Sequence, residues 1–238
     1  MAEGAVTMRL LAVDTSSRDA SVAVFVEDRV AALVAPGGSE QHSVALFRSI
    51  EQALEQAGAG LDELDAYAVT TGPGAFTALR VGLSVIKALA EVSGKPVAPV
   101  SALEAVCESA RAGGWLAPMV DAYRGQIFGG LYEKRDGDVA PRGRERVASL
   151  EEFLAALVEE KVRPADCTLI GPHLERWAPA IRESPFSGSR QEITSPVLAE
   201  AVGRCGRRRL ARGEGVDALH LEANYVRRSD AELLWNQK

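Results

Sequence analysis

The stretch from Val69 through Thr70-Thr71-Gly72-Pro73-Gly74-Ala75-Phe76 to Leu89 constrains this chain more than any other. It reads as a strand that ends in Gly-Pro-Gly and opens at once into a helix, which places free backbone N–H groups at a dipole-positive terminus. Gly72 and Gly74 therefore stand where a phosphate or carboxylate can be held. The turn is neither a Walker loop nor GxGxxG, however, and Pro73 removes one donor, so the pattern favours a plain tight connection over an anion site. In the helix over 77–92, Leu79, Leu83, Ile86 and Ala90 form one apolar face. Val81, Val85 and Leu89 add a second stripe, which predicts burial on two sides, against another helix of this chain or of a partner.

Periodicity around this unit predicts an α/β protein. MRLLAVD (8–14) is an apolar run ending in an acid, followed by the turn-rich Thr15-Ser16-Ser17-Arg18-Asp19. ASVAVFV (20–26) and RVAALVA (29–35) read as strands joined at Glu27-Asp28, and Pro36-Gly37-Gly38 stops the second. Val44, Phe47, Ile50 and Leu54 recur at helical spacing over 41–57, with Ser39 as the expected N-cap. AYAVT (66–70) and PVAPV (96–100) are further strands, and 102–112 is a helix, giving the order β-β-β-α-β-α-β-α.

LAPMVD (116–121) is again an apolar strand ending in an acid, then a polar turn, then QIFGGLYE as one strand and a hairpin turn at Asp136-Gly137-Asp138. Helices are expected near 149–160, 173–182 and 195–212, with a strand near 167–170. Strand, acid, turn and strand thus occur twice. The pattern implies a duplicated actin-like ATPase (ASKHA, ribonuclease H-like) architecture of two mixed-sheet halves, residues 1–113 and 114–238. In such folds the acid-ended strands face a cleft between the halves. Asp14, Thr15, Ser16, Gly72 and Gly74 in the first half, with Asp121 and Arg124 in the second, are then candidates for a degenerate nucleotide cleft. The pattern favours a turn cap for the first of these sets, and the second reads equally as a structural ion pair.

Composition narrows the chemistry. With 27 Lys and Arg against 33 Asp and Glu the formal charge is −6, which disfavours a surface that grips nucleic acid throughout. Arg204, Arg207, Arg208, Arg209 and Arg212, followed by Arg227 and Arg228, are either a local phosphate contact, a surface for an acidic partner or a solvated helix face. Cys107, Cys167 and Cys205 are scattered and read as reduced, buried small hydrophobes of a cytoplasmic protein. His42, His173 and His220 form no metal-ligand motif, and no nucleophile elbow is present. The N-terminus lacks the features of a signal peptide, and no run of apolar residues is long enough to span a bilayer.

In combination, LLAVDTSS (10–17), QHS (41–43), GPGAFTALRVGLSVIKALA (72–90), VSALEAV (100–106), DAYRGQIF (121–128) and EANYVRR (222–228) resemble the TsaB (YeaZ) family, homologous to the TsaD (Kae/Gcp-like) proteins. The resemblance is dense over 8–132 and sparse beyond. It implies a cytoplasmic, non-catalytic subunit that pairs with a TsaD-type catalytic subunit and a TsaE-type ATPase in threonylcarbamoylation of the adenosine next to the anticodon in tRNA. It also implies a homodimer when TsaD is absent, and at most indirect or weak tRNA contact. No cofactor is expected on this chain, since ATP and metal would reside on the partners. The helices matching 41–57 and 77–92 would carry the interface, through Val44, Phe47, Ile50, Leu54, Leu79, Leu83 and Ile86. Ala75 and Ala78 replace the usual Ser and Gly of the family's turn, Val44 its acid, and Ala223 a frequent proline. The rival readings are a stand-alone actin-like kinase or nucleotide hydrolase and a metallopeptidase.

Overall fold

The computed structural model describes residues 8–36 and 42–227, the second stretch with side chains from Ala45 onward. The expected N-cap Ser39, Gly37, Gly38, Gln41, Arg228 and the side chain of Val44 lie outside the described residues. Contacts divide the chain into two units.

The first unit follows the expected order: β1 (Arg9–Asp14), β2 (Ser21–Val26), β3 (Arg29–Val34), α1 (His42–Ala57), β4 (Ala66–Gly72), α2 (Phe76–Ser93), β5 (Val97–Ser101) and the start of α3 (Ala102–Ser109). Its sheet runs β3-β2-β1-β4-β5. β1 is antiparallel to β2 and parallel to β4, and β4 is parallel to β5. Leu11, Val13, Val24, Tyr67 and Val69 face Leu46, Ile50, Leu83 and Ile86 from α1 and α2 in one apolar cluster. The two stripes of α2 are thus used mostly inside the chain, against β4 and α1. Gly94, at φ 67, ends the helix by bonding its N–H to the Ala90 carbonyl.

The second unit contains β6 (Gly114–Asp121), β7 (Gln126–Gly129), β8 (Tyr132–Arg135), β9 (Asp138–Pro141), β10 (Arg146–Ser149), α4 (Leu150–Glu159), β11 (Cys167–Gly171), α5 (Ala178–Arg182) and β12 (Arg190–Ile193). QIFGGLYE is two strands rather than one. β7 pairs with the Met119–Asp121 end of β6 and β8 with the Gly114–Leu116 end, in one continuous register. The residue of β6 that falls opposite Gly130 in that register is Pro118, which has no N–H to give the ladder. β8 and β9 turn at Asp136 and Gly137, both at positive φ, as the hairpin motif requires. Ser149 caps α4 in a reciprocal box with Glu152. The helix expected at 173–182 is only a 3-10 turn at Leu174–Arg176 and the short α5.

The half boundary expected at residue 113 differs from the division in the structure, where Val197–Ala223 joins the first unit. α6 (Ala199–Ala211) lies on the face of the first sheet opposite to α1 and α2, over β1, β4 and β5. Two glycines allow this approach. A Cβ on Gly203 would stand 2.0 Å from the Phe25 ring, and one on Gly206 2.5 Å from the Cβ of Ala68. With helices on both faces, Leu10 through Val13 are all fully buried, hence the unbroken apolar run of β1.

Candidate functional site

Parallel pairing of β1 with β4 brings the acid at the end of β1 beside Thr70. Asp14 Oδ1 accepts from the Thr70 hydroxyl at 2.8 Å and from the Ser16 N–H at 2.9 Å. Thr70 Oγ1 in turn accepts from the Thr15 N–H at 3.3 Å. Asp14 is 0% exposed, and its Oδ2 has no hydrogen-bond partner among the described residues. Burial pushes this carboxyl above the usual carboxylate range, while the bonds from Ser16 and Thr70 pull it back in part. The hydroxyl of Thr15 is likewise buried without a partner and lies against α2, where a Cβ on Gly82 would come within 2.3 Å of it.

The glycine turn closes over the same segment. Gly72, at φ 124, is buried at the end of β4. A Cβ on Gly74 would stand 2.3 Å from the Ser16 carbonyl oxygen, and the Ala75 N–H donates to that oxygen at 2.8 Å. The turn therefore spends a helix-terminal amide on its own chain. Gly74 is required for close backbone approach. Asp14, Thr15, Ser16, Gly72 and Gly74 do come together, as a latch between two strand ends. Thr70 and Gly82, which complete it, were missed, because a strand threonine and a helix glycine carry no motif.

In the second unit, the guanidinium that meets Asp121 is that of Arg176, at 2.5 Å from Oδ2, rather than that of Arg124. Asp121 Oδ1 accepts from the Tyr123 N–H at 2.8 Å. Tyr123, Arg124 and Gly125 stand at φ 61, 57 and 75, and two consecutive non-glycine residues there carry a cost of about 1–3 kcal/mol each. Arg227 holds the turn from beneath: it donates to the Ala122 carbonyl at 3.0 Å and to the Gln126 side-chain oxygen, and lies 5.8 Å from the Phe128 ring. Asn224 donates to Glu145 at 2.6 Å, and Glu145 also accepts from the Tyr132 hydroxyl. Asn224 and Arg227 thus tie their segment to the second unit, a role that the spacing of EANYVRR alone does not reveal.

Several expected interface side chains are core. Ile50, Leu54, Leu79, Leu83 and Ile86 are buried in the chain's own first unit, because α1 and α2 pack on the sheet and on each other. Phe47 is exposed, at 55%. The arginines of α6 are largely engaged: Arg204 with Glu200, Arg207 with Asp28 and Arg209 with Glu104. All three cysteines are buried, and burial pushes the Cys167 thiol up to about 12. His220 bonds the neighbouring Asp217, and His173 lies 3.9 Å from Glu175. Among the described residues, no three His, Cys, Asp or Glu side chains gather as a metal-ligand group, and no helix is long and apolar enough to cross a membrane.

The family model described as "TsaD: tRNA N6-adenosine threonylcarbamoyltransferase" matches residues 33–212. The tRNA threonylcarbamoyladenosine biosynthesis protein TsaB of Bacillus subtilis is 28% identical over 235 residues, covering 96% of this chain and 98% of the relative. YeaZ from Pseudomonas aeruginosa superposes with a TM-score of 0.77 at 27% identity, over 92% of this chain and 99% of that one. The ROK hexokinase of Thermus thermophilus, at TM-score 0.50 and 14% identity over 87% of this chain, shares the actin-like fold. These matches agree with one another: the chain belongs to the TsaD family, on its TsaB (YeaZ) branch.

Proposed function

We propose that this chain is a non-catalytic subunit that pairs with a TsaD-type catalytic subunit, together with a TsaE-type ATPase, for threonylcarbamoylation of the adenosine next to the anticodon in tRNA. The TsaB (YeaZ) family serves tRNA threonylcarbamoyladenosine biosynthesis, as the name of the Bacillus subtilis relative states. The observation that carries the non-catalytic reading is the closed latch. A carboxylate that is to reach a metal-bound phosphate needs an open face, whereas Asp14 is fully buried and the Ala75 amide is spent on Ser16. Nucleotide and metal chemistry then belong to the partners, and this chain supplies a docking surface.

The outward residues of α1 and α2 suit that surface. Phe47 and Val92 are exposed, at 55% and 90%, and Ser84 and Ala88 are exposed on α2. Small residues let a partner helix approach closely while a large apolar side chain anchors it. The same surface is available to a second copy of the chain when the partner is absent. The test is reconstitution: this chain with its TsaD and TsaE, a tRNA transcript and a source of threonylcarbamoyl-adenylate. Modification should require all three proteins. Full activity without this chain, or metal-dependent ATP or peptide hydrolysis by the chain alone, would overturn the proposal.

A further inference from the structure

The connection from α4 to β11 carries a residue that does not suit its backbone. α4 ends in a Schellman motif: the Lys161 N–H donates to the Val158 carbonyl at 2.9 Å, and the Val162 N–H to the Leu157 carbonyl at 3.0 Å. The motif requires a left-handed residue, and Lys161 fills that place at φ 62. Glycine is the usual occupant, and Gly58, Gly94 and Gly213 take the positive-φ place just after α1, α2 and α6. A lysine here costs stability that a glycine would not. Its side chain needs a reason.

Lys161 lines a cavity of about 380 Å³ within the second unit, bounded by the start of β6, the residue before β8 and the α4–β11 connection. Trp115, Leu131 and Val162 supply its apolar wall, and Trp115 remains 37% exposed. The other charges that line it are balanced. Arg142 is paired with Glu133, Glu160 with Arg146, and Arg163 with Asp166. The Lys161 ammonium has no partner among the described residues. One uncompensated positive charge thus lines an apolar-walled cavity, in a chain whose formal charge is −6.

We propose that this cavity binds a small organic anion, a flat apolar body bearing one carboxylate or phosphate head. The body packs on Trp115, Leu131 and Val162, and the head takes the Lys161 ammonium in a charge-assisted hydrogen bond. A cationic ligand would meet Lys161 as a like charge, and an uncharged one would leave the ammonium unpaired. The volume lies near the lower end of the range for small-molecule pockets, about 300–1,000 Å³, so the ligand is compact. This inference is independent of the proposed function, whose docking residues stand on α1 and α2 of the first unit.

The experiment titrates the full chain with naphthyl phosphate, with naphthoate and with uncharged naphthol. Binding is read from the indole N–H signals of Trp115, Trp177 and Trp235 in proton–nitrogen NMR spectra, and Trp115→Phe assigns the first of them. At least one anion should bind saturably, shift the Trp115 signal and bind roughly tenfold more tightly than naphthol. The tighter anion identifies the head group. Lys161→Gly suits the left-handed position, so it should raise the melting temperature while weakening the anion to the level of naphthol. Equal affinity of Lys161→Gly and the unaltered chain would overturn the proposal, as would the absence of saturation with both anions. A lowered melting temperature in Lys161→Gly would make the lysine a structural contact, and shifts at Trp177 or Trp235 alone would place the ligand elsewhere; either result overturns it. Loss of anion binding in a complex with TsaD would assign the cavity to an acidic side chain of the partner, and would overturn it too.

Discussion

Gly74 and the Ser16 carbonyl approach so closely that a Cβ on Gly74 would stand 2.3 Å from the oxygen, and the neighbouring Ala75 N–H donates to that same oxygen at 2.8 Å. The exit of β1 and the entrance of α2 are thereby joined through backbone alone. A side chain at residue 74 must push apart two segments that are pinned by the sheet. Gly74→Ala should destabilise the protein by about 1–3 kcal/mol, the usual cost of overpacking. Urea unfolding checks this, and an unaltered midpoint would show that the latch yields without cost.

Asp14 makes a pH signature. Burial raises its carboxyl above the ordinary value in the folded state. The folded protein therefore holds this proton more tightly than the unfolded chain does, so the stability contribution is present at low pH and is lost as pH rises through the folded value. Asp14→Asn removes the charge and keeps an acceptor for Ser16 and Thr70. Relative to the unaltered protein, the variant should gain stability as pH rises above the ordinary carboxylate range, and the gain should level off once pH passes the raised folded value. A stability difference that does not change with pH would contradict the burial argument. Reconstituted tRNA modification should survive the substitution, whereas a nucleotide-cleaving role for Asp14 predicts its loss.

Burial also separates the proposed docking face from core on α2. Ile86 is fully buried, and Ser84 two residues away is exposed. Ile86→Arg should unfold the first unit. Ser84→Arg should leave the far-ultraviolet spectrum and melting temperature near their original values while blocking co-elution with TsaD. If Ser84→Arg and Phe47→Asp both pair normally, docking lies on another surface.

The contact of α6 with the sheet has its own test. Gly206 faces Ala68 and Ala98, whose Cβ atoms would lie 2.5 and 3.4 Å from an added Cβ. Gly206→Val should lift the helix from the sheet, at a cost of about 1–3 kcal/mol or more. Arg204→Ala, on the exposed side and in a surface pair with Glu200, should change stability by less than about 1 kcal/mol. Thermal melts of the two variants check the contrast.

These contrasts also explain what was legible in the sequence. β1 through α3 could be read from hydrophobic periodicity, because both faces of that sheet are covered and its strands are correspondingly apolar. The break between β7 and β8 could not, since Pro118, which falls opposite it, lies on the other strand of the ladder. β12 escaped notice because RQEI is polar, as an edge strand can be. The return of α6 is written in Gly203 and Gly206, whereas its arginines are the stronger signal in the sequence and point to a surface helix. For the latch, Asp14 and the glycines were recognisable as a cluster of strand-end residues. That Asp14 would be sealed rather than open depends on Thr70 and Gly82, which become neighbours only after β1 pairs with β4 and α2 packs down.

The placement of α6 has a consequence for synthesis on the ribosome. The first sheet emerges early, yet the helix that covers its second face follows only after all of Val106–Pro196 has been made. At about 5–20 residues per second, Phe25, Ala68 and Ala98 wait several seconds or longer for Gly203 and Gly206. During that interval the nascent chain carries a bare apolar sheet surface, which a chaperone can shield and a second nascent copy can occupy.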